Sequence, residues 1–120
     1  MMLSLPAAVR IWVATRPTDL RKSFDSLAEV VRQQLQLDPL SGQLFVFKNK
    51  RGDRLKLLYW DEDGFVILYK RLEGGTFRFP PATAEGLLLR AADLQMLLDG
   101  VELDSVRRRP RYHRPVASSQ

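Results

Sequence analysis

Three short apolar runs joined by two turn-forming linkers constrain the fold of this chain more than any other feature. The runs are residues 43–48 (QLFVFK), 54–60 (RLKLLYW) and 65–72 (FVILYKRL), and the linkers between them are NKRGD and DEDG. Runs of this length, rich in aromatic and branched residues and separated by hairpin-length turns, predict β-strands. We therefore expect an antiparallel β-meander of three to five strands at the centre of the molecule.

Segments before the meander predict one further strand and the helix that covers the sheet. Residues 9–15 (VRIWVAT) are rich in β-branched and aromatic side chains, and Val9, Ile11 and Val13 alternate with Arg10 and Trp12. This pattern predicts a strand, which Arg16-Pro17 ends. A helix is expected to begin at a Thr18 cap and to stop before Asp38-Pro39, in the loop sequence LDPLSG. Its inward face, at helical spacing, should consist of Leu20, Phe24, Leu27, Val31 and Leu35.

Segments after the meander predict a turn, a short extended piece and a second helix. Residues 73–75 form the turn and lead to the short run TFRFP, which Pro80-Pro81 ends. GLLLR should be extended, and a helix should cover 91–99, with Gly100 as its stop and Leu94, Leu97 and Leu98 facing inward. This helix, or a partner, would cover the second apolar face of the sheet.

The predicted architecture is an α+β domain over residues 1–104 with a basic flexible tail over residues 105–120. The chain has no cysteine, which excludes disulfides and thiolate metal sites. No signal peptide or membrane-length apolar segment is evident, so we expect a soluble cytoplasmic protein that does not bind membranes. Asp61, Glu62 and Asp63 fit a turn better than a metal site, and His113 has no fixed neighbour to orient it. We expect neither a cofactor, a metal nor an enzymatic activity.

The charge distribution is asymmetric. The chain carries 19 lysines and arginines against 14 acids, a formal net charge of +5. Five arginines and no acids lie after residue 106, so the preceding part of the chain is formally neutral. A neutral body with a basic arm is typical of proteins that bind an anionic partner.

Two groups of cations are the main candidates for phosphate contacts. The first surrounds the turn between the first two strands of the meander and consists of Lys48, Lys50, Arg51, Arg54 and Lys56. A protruding cationic ribbon can lie along a nucleic-acid backbone, but a polar turn with lysines that discourage sheet aggregation is an equally good interpretation. The second group is in the tail, where aromatic and histidine side chains are interleaved with Arg107, Arg108, Arg109, Arg111 and Arg114.

The tail arginines suit nucleic acid, because guanidinium groups pair with phosphate oxygens and displace counterions without reading sequence. A solubilising tail, or one that docks on an acidic protein, is the alternative. A third candidate set, Arg16, Arg21 and Lys22, is expected at the N-terminal end of the first helix, where free N–H groups favour anions. An ordinary charged helix surface is the favoured explanation of these three.

Three stretches of the chain resemble a known family. RPTDLRKSFDSLA, LDPLSGQLFVFKNKRGDRLKLLYWDEDGFVILYKRLEGGTFRFP and DLQMLLDG are similar to the small second-open-reading-frame accessory protein of the insertion-sequence sixty-six transposon family. The resemblance runs from about residue 11 to residue 100. It implies a bacterial mobile-element protein that acts beside a separate, larger transposase, and it supplies no catalytic residues.

These observations favour a non-catalytic accessory factor for transposition that holds the DNA of the element ends. The alternative is a protein-interaction subunit that docks on the transposase, or on other proteins of the element, through the second apolar face of the sheet. A homo-oligomer is compatible with either hypothesis. An RNA-binding module, suggested only by the order of helices and strands, is a third and weaker hypothesis.

Overall fold

The computed structural model describes residues 8–82 and 87–99 and contains a five-stranded sheet with a helix on each face. The prediction of an α+β fold is confirmed. The elements in chain order are β1 (Ile11–Val13), α1 (Phe24–Val30) continued by a π-helical turn (Val31–Leu35), β2 (Leu44–Lys48), β3 (Arg54–Asp61), β4 (Gly64–Arg71), β5 (Leu87–Leu89) and α2 (Ala91–Asp99). Residues 76–80, the TFRFP run, are not a strand.

The strand order of the sheet is β4-β3-β2-β1-β5. β2, β3 and β4 are antiparallel neighbours, and β5 is antiparallel to β1. β1 and β2 are parallel, with Ile11 opposite Leu44, so the expectation of a wholly antiparallel sheet is wrong at this pair. The helical segment between these two strands returns the chain across the sheet, and a crossover of this kind joins parallel strands.

The parallel pair brings several connections to one end of the sheet. β1 and β2 both finish there, at Val13 and Lys48, while β3 and β5 both begin there. The segments 14–23, 49–53 and 72–82 therefore start or finish at this same end of the sheet. The acidic turn 61–63 lies at the far end of β3, about 23 Å away for an eight-residue strand.

The two faces of the sheet carry separate apolar clusters. Successive side chains of a strand point to opposite faces. Along β2, Leu44 and Val46 pack in the cluster that contains the α2 leucines, while Phe45 and Phe47 pack in the cluster that contains the α1 residue Leu27. Each helix therefore covers its own face of the sheet.

The helix α2 covers the second face, which the sequence left open to a helix or a partner. Its residues Leu94, Leu97 and Leu98 are fully or almost fully buried, and the helix spans the range 91–99 expected from the sequence. A partner that covers this part of the sheet would have to displace the helix. Within the two described ranges, neither helix is long and apolar enough to cross a membrane.

The helix α1 begins later than the sequence predicts. Ser23, not Thr18, is its N-cap, and the Ser26 hydroxyl accepts the Ser23 backbone N–H at 2.9 Å. The Thr18 backbone N–H instead donates to the Lys48 carbonyl at 2.8 Å, so Thr18 ties the loop after β1 to the end of β2. Leu27 is buried as expected, whereas Phe24, the first helical residue, is 46% exposed.

Candidate functional site

The loop Asn49–Asp53 between β2 and β3, here called the tip, has a fixed backbone. Gly52 has a φ of +78°, a left-handed conformation that favours glycine. The Asn49 side chain spans the loop, because its Oδ1 accepts the Arg54 backbone N–H at 3.0 Å and its Nδ2 donates to Asp53 Oδ1 at 2.7 Å. The second of these bonds is the main cause of a lowered pKa at Asp53.

The segment that follows β4 binds the tip from the side. The Leu72 backbone N–H donates to the Asp53 carbonyl, and the Phe77 N–H donates to the Gly52 carbonyl, both at 2.8 Å. The tip backbone is therefore bonded to a neighbouring segment and does not stand apart as a free ribbon. The tip is a firm platform, and only its long side chains extend into solvent.

Lys50 and Arg51 are the exposed cations of this platform. Neither forms an ion pair with a carboxylate of the described residues, although the Arg51 charge contributes to the lowered pKa of Asp53. Two grooves flank the tip, and these two side chains line both of them.

The first groove, the α1-side groove, has a volume of about 560 Å³ and lies between the tip and the loop that precedes α1. Besides Lys50 and Arg51, its charged lining consists of Asp19, Arg21, Asp53 and Arg54. Arg54 donates from Nη1 to the Tyr69 hydroxyl at 3.1 Å. Cations predicted separately from two parts of the sequence thus meet in one groove, but two carboxylates accompany them.

Asp19 neutralises the nearest arginine of this groove. Arg21 Nη2 lies 2.7 Å from Asp19 Oδ2, and its Nε also donates to the same carboxylate. The hydrogen bonds from the Arg21 side chain, and then from its backbone N–H, lower the pKa of Asp19 to about 2. The same pairing raises the pKa of Arg21, whose side chain is 91% exposed. At neutral pH the pair is ionised on both sides and adds little net positive potential.

The second groove, the α2-side groove, has a volume of about 490 Å³ and lies between the tip and residues 76–82. Its charged lining residues are Lys48, Lys50, Arg51 and Arg78, with no carboxylate among the described residues that form it. Its apolar lining includes Val13, Phe77, Phe79 and Leu87. The Lys48 ammonium lies over the Phe79 ring, 4.9 Å from its centroid.

Lys56 is the one candidate of the first group that the structure removes from the surface. Its side chain points to the α1 face, is only 9% exposed, and donates from Nζ to the Lys22 carbonyl at 2.7 Å. The ammonium also lies 4.9 Å from the centroid of the Tyr69 ring. The prediction that Lys56 belongs to the hairpin tip is therefore wrong, because β3 carries it into the protein three positions after Asp53.

Arg16, Arg21 and Lys22 do not form one cluster at a helix N-terminus. α1 starts after all three, Arg21 lines the α1-side groove, and the Lys22 carbonyl accepts the Lys56 ammonium. Arg16 lines a separate hollow beside Gln33–Leu35, at the other end of the helical segment. The predicted anion site at this helix start is thus not assembled.

The remaining predictions concern regions away from the tip. Arg107, Arg108, Arg109, Arg111 and Arg114, and the boundary at residue 104, lie outside the described residues. In the described part of the chain, no group of three acidic or histidine side chains is placed to hold a metal ion.

Sequence reasoning missed Arg78 and Phe79. Both follow β4 by several residues, in a run whose alternation resembles a short edge strand. A tertiary contact, the hydrogen bond from the Phe77 N–H to the Gly52 carbonyl, holds this run beside the tip. The pattern T-F-R-F, a cation between two aromatic residues, is the signal that was available.

Comparison with known proteins decides the family. The family model described as IS66 Orf2-like protein matches residues 9–108. The chain belongs to the IS66 Orf2-like family. It is also 38% identical over 109 residues to uncharacterized protein y4jC of Sinorhizobium fredii (strain NBRC 101917 / NGR234), covering 91% of this chain and 93% of that protein. Uncharacterized protein y4hO of the same strain is 41% identical over 101 residues, covering 84% of this chain and 88% of that protein.

Membership of the IS66 Orf2-like family supports an accessory role in the transposition of an insertion sequence and association with the machinery of that element. It identifies no catalytic activity. No solved structure matches this chain.

Proposed function

We propose that this protein is a non-catalytic DNA-binding and assembly factor that acts beside a separate transposase. The family supports the process, and the tip supports the contact with DNA. Under this proposal the protein holds the DNA of the element ends while another protein carries out strand transfer.

The observation that carries the proposal is the placement of Lys50 and Arg51. Both are exposed on a platform whose backbone is held by six hydrogen bonds involving Asn49, Gly52 and Asp53. Neither is paired with a carboxylate of the described chain. A cation that has no internal partner keeps its full charge for a phosphate, and a fixed platform reduces the entropy lost on binding.

The distribution of charge along the sheet also supports a contact between the tip and DNA. Cations surround the end where β2 stops and β3 starts, while Asp61, Glu62 and Asp63 are exposed at the opposite end of β3. A polyanion is attracted to the first end and repelled by the second, which orients the protein on DNA before any close contact forms.

The basic tail adds a second, sequence-independent contact in this proposal. Its five arginines release counterions from DNA as they approach phosphates. The alternative, a protein-interaction subunit without direct DNA contact, would need a docking surface other than the face that α2 covers.

The test is a titration of a fluorescently labelled duplex from an element end with the full-length protein, repeated across salt concentrations. The variant K50Q/R51Q should make the slope of log affinity against log salt shallower by about 1.8, since each lost phosphate contact changes it by about 0.9. Replacement of the five tail arginines by glutamine should remove up to about 4.5. The control R10Q/R32Q removes the same charge from exposed positions outside both grooves.

Failure of the wild-type protein to bind DNA at low salt would overturn the proposal. Equal slopes for the wild type, K50Q/R51Q and the tail variant would also overturn it. Co-purification with the transposase, unaffected by these variants, would then favour the protein-interaction subunit.

A further inference from the structure

The lining of the α2-side groove is both cationic and aromatic, a combination that suits a single strand of nucleic acid better than a duplex. Among the described residues that line it are four cations and no carboxylate, and the surface between the cations is apolar and aromatic. Duplex DNA presents phosphates to a protein surface but keeps the faces of its bases stacked inside. A single strand presents phosphates and base faces alike, and aromatic side chains stack on those faces.

Phe79 is the side chain best placed to meet a base. Part of its ring packs against the cluster that contains the α2 leucines, which holds the ring in place. The other part is accessible from the groove, because the Lys48 ammonium reaches the ring face at 4.9 Å from the centroid. Phe79 is half-buried and lines the groove, so a planar base can reach the ring once the ammonium moves away. The flexible lysine stem lets the ammonium move from the ring to a phosphate.

The groove is continuous with the platform described above. Lys50 and Arg51 form its wall on the tip side, and Arg78 lies in the segment that forms its other wall. A strand that passes between these walls meets cations on both sides and Phe79 in between. The volume of about 490 Å³ lies in the range of clefts that hold small ligands, so the groove has room for an unpaired base.

We propose that the α2-side groove binds single-stranded DNA, with phosphates on Lys48, Lys50, Arg51 and Arg78 and an unpaired base on Phe79. This inference rests on the proposed function and specifies the form of DNA that the site prefers.

The test compares a labelled single-stranded oligonucleotide with the duplex of the same sequence, using fluorescence anisotropy and the full-length protein. The single strand should bind at least fivefold more tightly than the duplex. The variant F79L, which keeps an apolar side chain but removes the ring, should weaken single-strand binding about tenfold and duplex binding less than twofold. F79Y keeps the ring and should stay within twofold of the wild type for both ligands.

F24L is the matched control, because Phe24 is an exposed phenylalanine outside both grooves. It should leave both affinities unchanged. Circular dichroism establishes that each variant is folded, and F79Y separates loss of the ring from loss of the fold. Single-stranded RNA of the same sequence and poly-glutamate serve as competitors, and both should compete less well than single-stranded DNA.

Three results would overturn the inference: tighter binding of the duplex, an F79L variant that binds the single strand as well as the wild type does, or competition by RNA or poly-glutamate equal to that by single-stranded DNA. The first two leave the proposed function intact if K50Q/R51Q still weakens duplex binding. Absence of binding to either form of DNA overturns both proposals together.

Discussion

The two grooves beside the tip share Lys50 and Arg51 but differ in what surrounds these side chains. The α1-side groove adds Arg21 and Arg54 together with Asp19 and Asp53, and hydrogen bonds hold both carboxylates in their ionised form. The α2-side groove adds Lys48 and Arg78, and no acid stands among the described residues that line it. Each groove has four cations, so the number of lysines and arginines does not distinguish them. The carboxylates decide how much positive potential each groove offers to a phosphate.

The largest expected effect comes from the residues that the two grooves share. Charge reversal in K50E/R51E should weaken binding of single-stranded DNA by about 100-fold at low salt, since it removes two charge-assisted contacts and introduces repulsion. R10E/R32E changes the net charge equally outside both grooves and should weaken binding by less than threefold. Affinities measured by anisotropy check this, and a similar loss in both variants would mean that only net charge matters.

Two double variants, each lacking two cations of one groove, test which groove binds single-stranded DNA. K48Q/R78Q takes two charges from the α2-side groove and should weaken single-strand binding by about tenfold. R21Q/R54Q takes two charges from the α1-side groove and should weaken it by about twofold, because Arg21 is already compensated by Asp19. Isothermal titration of both variants provides the comparison. The reverse order of effects would show that DNA lies in the α1-side groove.

Replacement of an acidic residue beside the tip should tighten DNA binding, whereas replacement of a cation should weaken it. D19N frees Arg21 from its ion pair and should tighten DNA binding by about twofold, an effect limited by solvent screening at this exposed site. D61N removes the same charge at the far end of β3 and should change affinity less. Anisotropy at low salt measures both variants. Tightening of equal size in the two would indicate a long-range effect of net charge.

The smallest effect on affinity is expected at Lys56. K56M keeps the buried stem but removes the hydrogen bond to the Lys22 carbonyl, so DNA affinity should stay within twofold of the wild type. The free energy of unfolding should fall by about 2 kcal/mol, a typical net value of a hydrogen bond made by a charged group. Urea denaturation measures the stability. A loss of DNA affinity as large as that of K50Q/R51Q would return Lys56 to the binding site.

The sequence predicted the local structure of this chain better than its tertiary contacts. The composition of 43–48, 54–60 and 65–72 and the spacing of Leu94, Leu97 and Leu98 are local properties of each element, which the residues reveal directly. The parallel pairing of β1 with β2 depends on how the chain crosses the sheet, and local spacing does not record this. The start of α1 at Ser23 was missed because Thr18, also a good cap, bonds to Lys48 of another strand instead.

The same distinction applies to the site. Lys50 and Arg51 could be predicted because a glycine-containing turn exposes its neighbours whatever the rest of the fold does. Lys56 could not be excluded, since the register that buries it depends on packing against α1. Arg78 and Phe79 lie more than 20 residues after the tip, and tertiary contacts such as the hydrogen bond between Phe77 and Gly52 bring them to it. Pairing between cations and acids, which separates the two grooves, is equally a tertiary property.

The most direct test of the account is a map of the DNA contact on the labelled protein. Two-dimensional ¹H–¹⁵N spectra of the full-length chain, recorded during titration with a short single-stranded oligonucleotide, report which backbone amides change environment. We expect the largest shifts at residues 48–54 and 76–79 and negligible shifts at residues 61–64, at the far end of β3. Shifts confined to residues after 106, or largest at the acidic turn, would contradict the claim that the tip is the DNA-binding platform.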